Sequence, residues 1–304
     1  MKKYCLIESE RGDEEQKLYQ IKALKTFTTS NGTEVKEGDL GGFISGEHNL
    51  SHEGNCWVAN SAEVWDQACV SENGYLGGIT RLYDQAQLYG NAQVRRGSIG
   101  GNVKIYGNAE VSVKGYISGD VEIYENAVVA SKDTDISDSV KIFGNAHIGG
   151  FYRGDIKISE QAKIYGNAQI GGTCHIEGNA EIWGDTVIAG SNVRIKDNVK
   201  ICGAEISGRN DFFGNTRIIG ENIVINDDVD LGSNAFIQSQ NDFLQTKMFS
   251  DFLEYFTAYK TENGFEIRYN NRAFSAKQIR NALQAYSEYE AAVEVARTRI
   301  LGGF

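Results

Sequence analysis

Between residues 82 and 237 the apolar positions fall into a six-residue rhythm: an aliphatic side chain, any residue, Gly or a polar residue, Asn or Asp, a small residue, any residue. It is clearest in Ile164-Tyr-Gly-Asn-Ala-Gln169, Ile170-Gly-Gly-Thr-Cys-His175, Ile176-Glu-Gly-Asn-Ala-Glu181 and Ile182-Trp-Gly-Asp-Thr-Val187. On an extended chain each aliphatic residue points the same way as the small residue two places before it, so both face inward. The Gly-Asn pair predicts a corner, because these residues take positive φ at least cost. Three such units make one coil of eighteen. The expected fold is mainly β, a left-handed parallel β-helix of hexapeptide repeats whose units bury their apolar side only by stacking on one another. At ~4.8 Å per coil, about ten coils would make a rod on the order of 50 Å long.

A slower period runs through the same stretch. Tyr89, Tyr106, Tyr124, Phe143, Tyr165 and Trp183 each open a tetrad of the type Tyr89-Gly90-Asn91-Ala92, at intervals of 17, 18, 19, 22 and 18 residues. Each follows an inward aliphatic residue, so period two turns it outward, and the near-constant interval aligns the rings as a column on one face. Rings stacked a coil apart stabilise a ladder by roughly 0.2–1 kcal/mol per pair. Tyr and Trp also favour interfaces, and an apolar column of this length is large for a monomer. A partner-binding face is therefore expected over Tyr124, Phe143, Tyr165 and Trp183. The interval of 22 holds an insertion, Gly149-Gly150-Phe151-Tyr152-Arg153-Gly154, and Phe151, Tyr152 and Arg153 are expected at the edge of that face. A second surplus, Ser207 to Phe212, also predicts a loop.

The rhythm is bounded on both sides. Residues 1–45 read as an N-terminal β cap: a hairpin of Tyr4–Ile7 and Leu18–Leu24, then an element through Phe27 and Val35. Such a cap covers the open sheet edge at the end of a solenoid. The repeat occupies 46–240. Residues 241–304 read as a ββα module, with strands at Leu253–Tyr259 and Phe265–Tyr269 joined across Glu262-Asn263-Gly264. Ser275 to Gln278 is a capping box that opens a helix carrying Ile279, Leu283, Tyr286, Val293, Ala296 and Ile300 on one stripe.

Composition narrows the function. The 304 residues contain no Pro and 35 Gly, and the net charge is −11. Backbone N–H groups committed to ladders leave Pro few places. Residues 51–243 hold 15 Lys and Arg against 25 Asp and Glu. Such an acidic surface argues against nucleic acid as a partner and is compatible with a basic protein surface or with solubility alone. No apolar run is long enough for a signal peptide or a membrane span. The five Cys have no CxxC spacing, which fits reduced thiols. A cytoplasmic protein without membrane contact is expected.

The stretch Gly38-Asp39-Leu40-Gly41-Gly42-Phe43, followed by Asn49-Leu50-Ser51 and Glu53-Gly54-Asn55-Cys56-Trp57-Val58, resembles a family of hexapeptide-repeat proteins of phages, prophages and some bacteria. Its members are labelled polymer-forming or transferase-like and have no settled activity. The resemblance extends over most of the chain. It implies the β-helix, and phage carriage implies action on a host component.

Hexapeptide β-helices also include acyltransferases, which resemble one another in using an imidazole as general base between subunits. Here His147 and His175 fall at the sixth place of their hexads and should face outward, without a carboxylate partner evident in the sequence. His48 and His52 flank the cap junction, where hydrogen bonding within the cap outweighs metal binding. No nucleophile elbow, phosphate loop or zinc spacing is present. The expectation is a non-enzymatic protein-binding scaffold with no catalytic residue, cofactor or metal, acting on a host defence protein. Self-association through the aromatic face or the C-terminal module is a further possibility. An acyltransferase-like enzyme and a structural assembly protein are the alternatives.

Overall fold

Between Leu82 and Ile164 two of the three steps around each coil keep one length, and this sets the architecture of that stretch. The computed structural model describes residues 2–150, 154–226, 228–247, 255–269 and 272–274. The chain is mainly β, wound as a β-solenoid of about 11 turns, and it divides into two units, Met1–Asn167 and Ala168–Phe304.

In the first unit three columns of aliphatic side chains stack in register through parallel strand pairing. The first is Leu88, Ile105, Ile123, Ile142 and Ile164. The second is Leu76, Val94, Val111, Val129 and Ile148. The third is Leu82, Ile99, Ile117, Ile136 and Ile158. None is more than 1% exposed. The small residues two places earlier, such as Ala109 and Ala127, are equally buried. From the third column to the first, and from the first to the second, every step is six residues: 82 to 88 to 94, 99 to 105 to 111, 117 to 123 to 129, 136 to 142 to 148. From the second column back to the third the steps are six, five, six, seven and ten: 76 to 82, 94 to 99, 111 to 117, 129 to 136, 148 to 158. Three equal sixes are thus replaced by two fixed sides and one variable corner.

Both constant corners pass through a left-handed residue. After the first column these are Gly90, Gly107, Glu125, Gly144 and Gly166; after the third they are Asp84, Gly101, Gly119, Asp138 and Glu160. Positive φ costs a non-glycine residue about 1–2 kcal/mol, and three of the four acidic residues offset it with their side chains. Asp84, Glu125 and Asp138 each accept the backbone N–H of the next coil, from Gly101 at 2.8 Å, Gly144 at 2.9 Å and Glu160 at 3.0 Å.

The N-terminal strands pair where the alternation places a hairpin. Tyr4–Gly12 and Lys17–Ala23 pair antiparallel, and the second also pairs antiparallel with Leu40–Ile44. That last strand runs parallel to Glu63–Val64 and so joins the cap to the first coils. Gly41 and Gly42 permit the junction: a Cβ there would lie 2.6 Å from the Val58 carbonyl oxygen and 2.5 Å from that of Ala62. Tyr4 is fully buried and donates its hydroxyl to the Leu50 carbonyl at 2.7 Å. Lys3 is also buried, its ammonium 3.0 Å from the Cys56 sulfur.

His52 stacks on Tyr4 with ring centroids 4.3 Å apart, and its Nδ1 accepts the Lys3 N–H at 3.2 Å. Burial holds the imidazole below its ordinary value of 6.5, with Lys2 and Lys3 acting in the same direction and Glu47 opposing them. The unfolded chain therefore takes up this proton first as pH falls, so the stabilisation is complete above about pH 6.5 and declines below it. The melting temperature is expected to drop more steeply between pH 7 and pH 5 in the wild type than in His52→Gln, measured by circular dichroism. Parallel profiles would show that His52 does not titrate on unfolding.

In the second unit Ile182, Ile201, Ile218 and Ile237 continue the inward pattern. Residues 207–212, expected as a loop, instead complete the strand Lys200–Phe212, which pairs with Val187–Ile195. The Asn210 side-chain amide donates to the Ser207 carbonyl at 2.6 Å, so the bend at Gly208 is tied within the strand rather than extruded. Four strands, Phe243–Lys247, Tyr255–Thr261, Gly264–Tyr269 and Arg272–Phe274, form an antiparallel sheet. Its central hairpin turns at Glu262 and Asn263. The helix expected from Ser275 onward lies outside the described residues. Among the described residues no helix is long and apolar enough to cross a membrane.

Candidate interaction surface

The outward column is a ladder of parallel rings. In the first unit Tyr89, Tyr106, Tyr124 and Phe143 each stack on the next ring, the last on Tyr165, with centroids 4.9, 4.9, 4.9 and 4.8 Å apart and planes within 3° of parallel. The strand spacing fixes this distance: side chains at equivalent places on successive coils stand one ladder step apart. The consequence differs from an exposed apolar column. Each ring covers a face of its neighbour, and all five are half-buried.

One residue past the left-handed residue of each turn runs a second ladder. The side-chain amides of Asn73, Asn91, Asn108, Asn126, Asn145 and Asn167 donate each to the next at 3.1, 3.2, 3.0, 3.1 and 3.0 Å. On the other flank of the rings the outward residues are Gln87, Lys104, Glu122, Lys141 and Lys163, in register. Glu122 joins the two rows: it accepts the Tyr106 hydroxyl at 3.3 Å and the Lys141 ammonium at 3.0 Å. Burial, reinforced by the Glu122 carboxylate, pushes the Tyr106 phenol up to about 12. This face presents neutral phenol edges between amides and a row richer in Lys than in Glu.

Trp183 lies in the second unit, half-buried at the end of the strand Glu181–Trp183. Phe151, Tyr152 and Arg153 lie outside the described residues; Gly149 and Gly150 beside them have φ of 104° and 105°. His147 is half-buried in the strand His147–Gly149, in register with Val128. His175 is in register with Arg194. His48 Nε2 is 2.6 Å from the Asp66 carbonyl oxygen in the repeat, and His52 bonds the backbone of Lys3. Among the described residues no group of three or more His, Cys, Asp and Glu is arranged to hold a metal ion. The five cysteines are unpaired.

The period did not announce a cleft at the variable corner of the first unit. Ile79 and Tyr116, 83% and 63% exposed, are the most exposed large apolar side chains among the described residues. They flank the corner of five residues from 94 to 99, which lies between corners of six. Subtracting consecutive inward positions would have found it.

No family model matches the chain, and no curated protein matches it.

Proposed function

We propose that the protein is a non-enzymatic binding scaffold that occupies the surface of another protein. The observation that supports this most is the ladder face: five parallel rings and six linked amides held on constant corners. A face already fixed by its own stacking orders few side chains on binding, which lowers the entropic cost of association. In keeping with the family resemblance at residues 38–58, the partner is proposed to be a bacterial host protein of a defence system, met in the cytoplasm, with the solenoid left-handed, of the hexapeptide type and closed by a ββα module. Tyr124, Phe143, Tyr165 and Trp183 are the proposed contact rings, with Phe151, Tyr152 and Arg153 at their edge.

The immobilised full-length protein is expected to retain one host protein in stoichiometric amount from bacterial lysate. Replacing Phe151, Tyr152 and Arg153 together by Ala should weaken that binding by at least about 2 kcal/mol with the melting temperature unchanged. Titration calorimetry with the retained protein measures the difference. Undiminished affinity in the triple variant would remove these three residues from the interface, and failure to retain any protein would count against the scaffold function itself.

A further inference from the structure

The shortened corner creates a cleft whose charge is opposite in sign to the net charge of the chain. Arg96 pairs in register with Ile79 on the coil before, and Ser98 stands between Arg81 and Tyr116 on the coils either side. With one residue fewer, the corner at 95–98 leaves a floor of Gly97 and Ser98 between two longer corners, and the space above it is about 530 Å³. Four cations, Arg11, Arg81, Arg96 and Lys114, line it against one carboxylate, Glu63. Glu63 is already engaged by Arg11 at 3.2 Å and by Arg81 at 3.1 Å. Arg96 and Lys114 are exposed and flank the floor without a carboxylate of their own in the lining. Ile79 belongs to the same lining, and Tyr116 to the adjoining hollow under the tip of the first hairpin.

We infer that this cleft binds a short acidic and apolar segment of a partner protein in extended conformation, its carboxylates on Arg96 and Lys114 and its apolar side chains against Ile79 and Tyr116. Charge complementarity selects this occupant: three excess positive charges, four cations less one carboxylate, are set in a chain of net charge −11. A nucleic-acid strand fits less well. The adjoining hollow is lined by Asp13, Glu15 and Asp66, which would repel a continuing row of phosphates. A peptide can turn an apolar side chain rather than a carboxylate toward that hollow, where Tyr116 lies, and Ile79 offers phosphate nothing.

This inference rests on the protein being a binding scaffold but does not require the ladder face to be its contact surface. Fluorescence anisotropy of the full-length protein with a short labelled peptide of alternating Glu and Leu tests it. An alternating Lys and Leu peptide and a single-stranded oligonucleotide serve as competitors of other chemistry. The acidic peptide is expected to bind most tightly, less so at high salt, and Arg96→Glu with Lys114→Glu should weaken it at least about tenfold. The milder pair Arg96→Gln and Lys114→Gln should weaken it less, with melting temperatures unchanged in both. The inference is overturned if the basic peptide binds as well, if the oligonucleotide binds more tightly, or if the charge-reversed protein binds like the wild type. If peptide binding fails while the captured host protein is still lost from the 151–153 variant, the cleft is wrong and the scaffold stands. Peptide binding by a protein whose captured host partner is unaffected by the 151–153 substitutions would support the cleft and count against the ladder face.

Discussion

Ile123→Asp is expected to leave little soluble, folded protein. Ile123 is fully buried, with Ile105 on one side and Ile142 on the other in the same inward column. A carboxylate there must either stay charged without a partner or be neutralised at the expense of its hydration. Both routes cost several kcal/mol, a large share of a typical folding stability of about 5–15 kcal/mol. Ile123→Val, which removes one methylene, should cost only about 0.5–1.5 kcal/mol and serves as the control. Thermal melts of the soluble fractions compare the two. A soluble Ile123→Asp protein with the wild-type melting temperature would contradict the inward register.

Tyr124→Ala should lower stability by about 2–4 kcal/mol. The ring loses stacked partners on both faces, Tyr106 and Phe143, and stacked aromatic pairs contribute about 0.5–1.5 kcal/mol each beyond the area they bury. Tyr124→Phe should stay within about 0.5–1 kcal/mol, because Phe143 already serves at the same place one coil on. Chemical denaturation with a common slope gives both values. An unchanged midpoint for Tyr124→Ala would mean the rings contribute nothing to the fold and are kept for an outside partner. The predicted loss instead makes the ladder a structural element whose edges remain free for recognition.

Much of the fold was legible because two physical rules act locally. Alternation decides which side chains face inward, so Ile105, Ile123, Ile142 and Ile164 could be placed from spacing alone. Glycine marks the corners. Where an acid replaces it, as at Glu125 and Asp84, the compensating bond reaches a residue 19 or 17 positions away, and nothing local in the sequence signals that. The strand through Asn210 was misread as a loop for a related reason: the bond from its side chain to Ser207 turns a surplus into a bend. The candidate surface was half legible. The outward rings followed from period two, but their mutual coverage depends on how parallel the planes lie. The Arg96 and Lys114 cleft depends on a difference of one residue between neighbouring corners, which an average period of eighteen conceals.

Between Leu82 and Ile164 the division of each coil into two constant sides and one variable corner changes what insertions and deletions do to that stretch. In an ordinary strand a slip of one residue turns every following side chain to the opposite face. Here the steps of five, six, seven and ten residues at the variable corner all return the chain to the same inward column, so length changes there leave the other two sides in place. A lineage carrying this fold can therefore reshape one surface by gaining and losing residues, as antibodies do with their loops, while the rest of the coil stays under the ordinary constraints of packing.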